Sequence, residues 1–443
     1  MDPLLTLHIG PSNTGKTRAG VIPQIQHAIS NKTSFVALDC KGLLLPTVGN
    51  SLEKNGYTII TFDIHDATNS HVWNPLSMPY QLYQRDDQDQ CYSVLDDLAS
   101  DIFIDENDFW EQSAKDLFVG LCILLFNKAT DISQINLRSI YDLALTGFQK
   151  FSKSNYVQEY LNYENNKYSI LASSIQATIE APSDTRQSIL SVLYRSLRTF
   201  TANDTLTSIL CGSSIEIDDV LGDRVALFLN YEDVNTGNAK ILNVLIMQIF
   251  RKLISKRSQP DFAYPIYTFF LDDFLLLPKL AKLDNILLGH KNRNIGISLS
   301  INNVELLKKK YGNETTSVLL SNAEQINLFF DILKEYEKCF SNSDYRDALV
   351  HLDYSKMLTI TLSGTQFTDI KPLLNDSIPQ NFYKHYYQKP QAQPASYFEI
   401  DTYVKELKQN EYKERIAKLS GLKNEADSPS LDMLFELLKD FSG

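Results

Sequence analysis

The sequence predicts an α/β protein with a mostly parallel central sheet and a long helical insert. Three observations carry that prediction. Short, continuous apolar runs alternate with helical spacing up to about Leu76. Strand patterns then vanish between Pro79 and Cys211, where apolar residues recur at helical intervals. Strands and helices alternate again from Arg224 to Gly312. Continuous apolar strands separated by helices mark a parallel sheet covered on both faces.

The elements follow in order. Strands are predicted at Leu4–Ile9, Ser34–Asp39 and Thr58–Asp63. The first is followed by "KTRAGVIPQIQHAIS", a helix in which Pro23 bends the chain or marks the first turn, because proline lacks an N–H and crowds the preceding turn. In the insert, "QCYSVLDDLASDIF", "FWEQSAKDLFVGLCILLF", "QINLRSIYDLAL" and "TRQSILSVLYRSLRTF" each show helical periodicity. The insert holds 18 acidic and 10 basic residues, a net of −8 within a chain net of −12. Beyond it come strand "RVALFLNY", helix "AKILNVLIMQIFRKLISK", strand "IYTFFLDDF", a further helix, strand "IGISLSI" and helix "NVELLKKKYG". After Pro379, "YQKPQAQPASY" reads as a linker. "YVKELKQNEYKERIAKL" and "SLDMLFELLKDF" read as short amphipathic helices of a solvated tail packing on its own domain, with docking of the last on the body or on a partner as the alternative. The predicted organisation is therefore a discontinuous α/β domain over 1–80 and 212–375, an all-α insert over 81–211, and a linker with a charged helical tail over 376–443.

Composition bounds the function. The 443 residues suffice for two or three domains, and 43% are hydrophobic. An acidic chain is a poor free-standing nucleic-acid binder, although a few basic residues inside a ring can still hold DNA. Five scattered cysteines without C-x-x-C predict reduced thiols and a cytoplasmic protein. The seven histidines form no H-x-x-x-H pattern, so no zinc site is predicted. No apolar run reaches the length of a membrane span, and the N-terminus carries no signal pattern.

The chemistry concentrates in "GPSNTGKT", Gly10 to Thr17, set between the first strand and the first helix. Gly10, Ser12, Asn13, Thr14, Gly15, Lys16, Thr17 and Arg18 are the predicted phosphate cradle. Glycines let backbone N–H groups turn onto phosphate oxygens, Lys16 reaches the β and γ phosphates, and the Thr17 hydroxyl holds Mg²⁺. The helix beginning near Lys16 adds its positive end. The predicted ligands are ATP and Mg²⁺. "YTFFLDDF" supplies the acidic partner: Asp272 for the Mg²⁺ shell and Asp273 to polarise the attacking water. Capping of the next segment is the alternative role for Asp273. The strand "IGISLSI" is predicted beside the P-loop strand, with Asn302 at its end sensing the γ phosphate. Lys291 and Arg293 on the preceding loop are candidate trans-acting fingers for a neighbouring subunit. A solvated basic loop is the alternative.

Together these stretches resemble the type IV coupling proteins, the hexameric DNA-pumping ATPases of conjugation and type IV secretion. The P-loop with its trailing "IP", the D-x-K-G at Asp39, Lys41 and Gly42, and the W-N-P-L turn at Trp73–Leu76 carry the likeness. So do the F-W helix from Phe109, the "LDD…LPKL" stretch and the later Tyr-Gly, all in family order over residues 1–375. Three positions depart: Leu43 where an acidic residue is common, Asp273 where Glu is usual, and Asn302 where Gln is usual. Asp is one methylene shorter than Glu, and a misplacement of about 1 Å can cost about 10²-fold in rate.

The resemblance implies a RecA-like P-loop NTPase with an inserted all-α domain that recognises cargo. It implies a homo-hexamer that pumps single-stranded DNA through a ring pore, with a monomer in isolation as the alternative. It also implies a basic relaxase partner for the acidic insert. Family members usually start with membrane helices. The expectation here is a form without them, recruited to the inner face of the membrane by a membrane-anchored secretion component, with a fragment as the alternative. A weakly hydrolysing ATP-binding cargo adaptor is the second functional reading, favoured by Asp273 and Asn302. Another P-loop DNA motor is the third, and the D-x-K-G and W-N-P-L stretches speak against it.

Overall fold

A computed structural model of the chain describes residues 3–104, 109–164, 170–231, 238–257, 264–280, 283–329, 352, 355–370, 383 and 396–420. In chain order the elements begin with β1 (Leu5–Ile9), α1 (Ile22–Ser30), β2 (Phe35–Asp39), α2 (Leu44–Lys54) and β3 (Thr58–Asp63). A helical stretch follows: α3 (Ser77–Gln84), α4 (Gln88–Ile102), α5 (Phe109–Lys128) and α6 (Leu137–Gly147), then the short strands β4 (Lys150–Phe151) and β5 (Ser154–Asn155). It continues with α7 (Tyr156–Glu164), α8 (Ile170–Glu180), α9 (Ser183–Thr201), α10 (Asp204–Leu210) and α11 (Ile217–Val220). Next are β6 (Val225–Asn230), α12 (Ala239–Lys256), β7 (Tyr267–Leu271), α13 (Leu283–Gly289), β8 (Ile295–Ile301), α14 (Val304–Tyr311) and α15 (Asn313–Asn322). The last are β9 (Gln325–Phe329), β10 (Lys356–Thr361), β11 (Gly364–Asp369) and α16 (Ile400–Ser420).

The described residues fall into two units. One lies within Met1–Met78 and Ala202–Ala392, the other within Pro79–Thr201 and Gln393–Gly443.

The first unit is built on a nine-stranded sheet of order β11-β10-β9-β1-β8-β7-β2-β6-β3. It is parallel from β9 to β3, and β10 and β11 are antiparallel additions. The central strands β1, β2 and β8 are buried along their whole length, as strands covered on both faces must be. The predicted pairing of the P-loop strand with "IGISLSI" is present, in register Leu5↔Ile297 to Ile9↔Ile301. Strands β9 to β11 are absent from the sequence reading; β11, at the sheet edge, is largely exposed and lacks a core-facing pattern.

The helix after the P-loop does not start as an α-helix. Residues Lys16–Val21 form a π-helical turn, and α1 begins only at Ile22, with Pro23 in its first turn. Proline at this position cannot donate to the carbonyl of Ala19 and crowds it, and a widened turn relieves that crowding. Gly20 lies where a Cβ would strike the His8 ring, so a close helix–strand approach requires glycine there. His8 is fully buried in β1. Its Nε2 meets Gln24 Oε1 at 3.1 Å and Ser298 Oγ at 3.2 Å, and its Nδ1 meets Asn327 Nδ2 at 3.1 Å. Burial pushes its pKa down to about 4. The Gln24 contact opposes that shift, and the Lys16 charge adds to it.

The second unit packs α4, α6, α8 and α9 around α5. Leu117, Phe118, Leu121 and Leu125 of α5 are fully buried. Two details differ from the sequence reading. The insert is not wholly helical, since β4 and β5 pair as a small antiparallel hairpin. Its end also falls at Thr201 rather than Cys211: α10 belongs with the sheet, where the Ile209 carbonyl accepts from Trp73 N at 2.9 Å.

The charged C-terminal helix is not a separate tail either. α16 packs on α6 and α7, with Lys408 paired to Glu159 at 2.5 Å and the Tyr403 ring 6.2 Å from that of Tyr160. The segment leading into it is held by Asn136 Nδ2 on the Ser396 carbonyl and by Ser139 Oγ accepting from Phe398 N. "SLDMLFELLKDF" and most of "YQKPQAQPASY" lie outside the described residues. Cys40, Cys91, Cys122 and Cys211 are buried thiols that form no disulfide among the described residues, and Cys339 lies outside those residues. Among the described residues no helix is long and apolar enough to cross a membrane, and no His, Cys, Asp and Glu cluster could hold a metal ion.

Candidate active site

Parallel strands deliver their C-terminal ends to one edge of a sheet, and ligand sites of open α/β folds form there. Here β1 runs into the P-loop, β8 ends at Asn302, β7 ends at Asp272 and Asp273, and β2 ends at Asp39. These ends lie side by side because β1 pairs with β8, β8 with β7 and β7 with β2.

The loop has the backbone its sequence demands. Asn13 and Gly15 have positive φ, at 66° and 99°. Gly10 is enforced by space as well, since a Cβ there would lie 2.7 Å from Phe329 Cβ and 2.8 Å from Thr14 Oγ1. Thr14 Oγ1 donates to the Pro11 carbonyl at 2.9 Å. Ser12, Asn13 and Arg18 are exposed.

Lys16 is buried and turned onto its own loop. Its Nζ donates to the carbonyls of Gly10 (2.6 Å) and Pro11 (2.8 Å) and to Asn302 Oδ1 (2.9 Å). Burial brings its pKa down to about 8; Asp273 and Asp272 raise it and Lys41 lowers it further. Four charged side chains are thus within electrostatic reach of one another. Thr17 Oγ1 donates to Asp272 Oδ2 at 2.6 Å. Asp272 is deeply buried, and burial with the adjacent Asp273 raises its pKa, against the Thr17 and Ser300 hydroxyls and Lys41. Its Oδ1 accepts no well-aligned hydrogen bond. A hydroxyl and a carboxylate in contact, with a carboxylate oxygen to spare, fit a hard divalent cation carried in with phosphates.

Asp273 has left-handed backbone angles (φ 49°, ψ 41°) and makes no side-chain cap to the 3₁₀ turn that follows it. Its Oδ2 instead pairs with Lys41 Nζ at 2.6 Å. The turn after it is gripped by α14. The Tyr311 ring stacks on Phe274 at 5.6 Å, Tyr311 Oη accepts from Leu280 N, and Lys310 Nζ donates to the carbonyls of Leu275 and Leu277.

The structure does not bring Lys291 and Arg293 to this site. They precede β8, at the opposite edge of the sheet from Asn302. Lys291 pairs with Glu324 at 2.9 Å and donates to the Asn322 carbonyl, and Arg293 Nη1 donates to the Gly289 carbonyl. Within one chain both brace the turn that starts β8, while Arg293 Nε makes no aligned hydrogen bond; a role toward a neighbouring subunit's phosphate is a separate proposal. Lys41 and Lys310, by contrast, lie outside the site residues named from the sequence. The D-x-K-G pattern held the signal for Lys41: a basic residue just past the end of a strand that neighbours the acidic one.

A search of curated proteins found no match. Solved structures do match. TrwBdeltaN70, described as a bacterial conjugative coupling protein in complex with sulphate, aligns over 83% of this chain and 85% of its own, at 13% identity and a TM-score of 0.62. TrwB in complex with the non-hydrolysable ATP analogue ADPNP aligns over 83% and 87%, at 14% identity and TM-score 0.57. VirB4 of Thermoanaerobacter pseudethanolicus aligns over 83% and 89%, at 12% identity and TM-score 0.55. These likenesses establish a shared α/β fold with a helical domain. The family model described as type IV secretory system conjugative DNA transfer matches residues 5–341, and the chain belongs to that family.

Proposed function

We propose that this protein is an ATP-dependent coupling protein that engages DNA, bound to a processing protein, and drives it into a type IV secretion channel. One observation carries the reading: Lys16, Thr17, Asp272, Asp273 and Asn302 converge at the C-terminal edge of the sheet, two of them in direct contact and Asn302 on Lys16. A relative is described in complex with ADPNP, and TrwB is also described with ADP and Mg²⁺.

In this reading Lys16 leaves the Gly10 and Pro11 carbonyls for phosphate oxygens, which a charged donor prefers to neutral carbonyls. Thr17 and Asp272 would hold Mg²⁺, which would supply neutralisation of phosphate charge. Asp273 orients the attacking water. Asn302, released from Lys16, senses the γ phosphate. Assembly into a ring supplies the pore. The exposed acidic Asp86 and Asp89 of the helical unit suit a basic protein partner. Asp87 caps α4 through Gln90 N, so charge reversal at Asp86 and Asp89 alone tests the interface without removing the cap.

The test is ATP turnover with and without single-stranded DNA, with Lys16→Ala as the blank. DNA-stimulated turnover that the variant loses supports the motor. Tight ATP binding with no turnover in either condition supports the second reading, a cargo adaptor, for which Asp273 and Asn302 in place of the usual glutamate and glutamine speak.

A further inference from the structure

We propose that Lys41 is a positioning residue for Asp273, holding that carboxylate in place for the water-orienting step; this rests on the hydrolytic reading above. Strands β2 and β7 pair in parallel up to Leu38↔Leu271, so the residues that follow them leave the sheet together. The turn carrying Lys41 is rigidly built. Asp39 is buried, and its carboxylate accepts from Leu43 N and Leu44 N, both at 2.8 Å, and from Leu45 N at 3.3 Å. Gly42 takes φ +62° with open space around it, so glycine is needed there for its backbone angle alone. The Cys40 thiol lies 3.8 Å from the Asp272 carbonyl. Both strand ends are thereby fixed to each other before any ligand arrives.

Asp273 needs such a partner. It sits in the left-handed region, which strains a non-glycine residue. It is also a nearly buried carboxylate next to a second one, Asp272. Lys16 is occupied by Gly10, Pro11 and Asn302, and the cation that touches Asp273 is Lys41. Side-chain exposure is 47% for Lys41 and 8% for Asp273. The lysine therefore reaches in from solvent to a carboxylate that is nearly enclosed. A carboxylate shorter than the usual glutamate has less freedom to find its water, and an ion pair at 2.6 Å removes the freedom to miss it.

The experiment compares Lys41→Met, Lys41→Arg, Asp273→Asn and the Lys41→Met/Asp273→Asn double variant. Fluorescent ATP-analogue titration with Mg²⁺ and steady-state turnover on single-stranded DNA are both measured. Lys41→Met is expected to lower kcat by about 10–10²-fold, as loss of a positioning contact does. KM and the analogue Kd should stay within about threefold. Lys41→Arg should recover most of the loss. In the Asp273→Asn background Lys41→Met should cost nothing further, because residues acting as a unit are not additive. If Lys41→Met keeps wild-type kcat, or if its loss adds in full to that of Asp273→Asn, the proposal is overturned while the hydrolytic reading stands. A wild-type chain that binds the analogue but never turns over ATP overturns both. Lys41→Arg keeps the test usable if Lys41→Met fails to fold.

Discussion

The two edges of the parallel sheet put the same kinds of residue to opposite use. At the C-terminal edge, Lys16, Lys41, Asp272, Asp273 and Asn302 hold one another through contacts that a ligand can replace. At the N-terminal edge, Lys291 and Arg293 are spent on Glu324 and on carbonyls of Asn322 and Gly289. Strand β8 connects the two, with Arg293 before it and Asn302 after it. Basic residues near a P-loop in sequence are therefore not equivalent. What separates them is which end of a parallel strand they occupy, and seven residues of β8 at about 3.3 Å each set the two ends roughly 20 Å apart.

The largest expected effect is at the ligand edge. Asp272→Asn keeps the shape but removes the charge that would hold Mg²⁺. Mg²⁺-dependent turnover should fall by about 10²–10³-fold, on the scale of losing one preorganised electrostatic contact. A variant within tenfold of wild type would dissolve the distinction between the edges.

Next comes a position between them. His8 titrates near 6.5 when unfolded and about 4 when folded, so the unfolded chain takes up the proton first. Stability from this group is complete above pH 6.5 and is lost as pH falls toward 4, up to about 3 kcal/mol. Urea midpoints at pH 7.5 and 4.5 should fall more steeply in wild type than in His8→Asn. Parallel slopes would mean that the strand interior carries no such proton linkage.

Asn302→Ala removes one hydrogen bond to a charged partner and should change turnover by about tenfold. Turnover that is unchanged would leave Lys16 as its only client. The smallest effect belongs to the far edge. Lys291→Ala breaks a partly exposed pair worth about 0–1 kcal/mol and should leave the Kd for a fluorescent ATP analogue within about twofold. Arg293→Ala should behave alike in binding. A collapse of DNA-stimulated turnover in Arg293→Ala, with binding intact, would show that a neighbouring subunit uses this edge after all.

Much of the architecture was legible in sequence, for reasons that particular residues make clear. Strands β3 and β8 and helix α12 start and end where their apolar periodicity does. The P-loop needed no structure to be seen, since Gly10, Gly15, Lys16 and Thr17 fall within eight consecutive residues at a fixed spacing. Other features were hidden. The antiparallel β10–β11 pair has one exposed strand and little pattern. The π-helical turn arises from a conflict between Pro23 and the helix around it, and spacing alone left open whether Pro23 bent the helix or began it. The expected end of the insert differs because α10 has the same periodicity as the helices before it, and tertiary contacts such as the Trp73–Ile209 hydrogen bond assign it to the sheet.

The chain's local chemistry was enough for a phosphate loop, an acidic pair and a sheet to carry them, because each is written in neighbouring residues with a fixed period or spacing. Strand order was legible only for the pairing of β1 with β8; the β2–β7 pairing that joins Lys41 to Asp273 lay beyond that reach. Asp273 meets Lys41 across 232 positions, and Lys16 meets Asn302 across 286. Such contacts depend on which strands pair and in what register. That is settled by the burial of both sheet faces at once, a property of the whole fold that no short stretch of sequence contains.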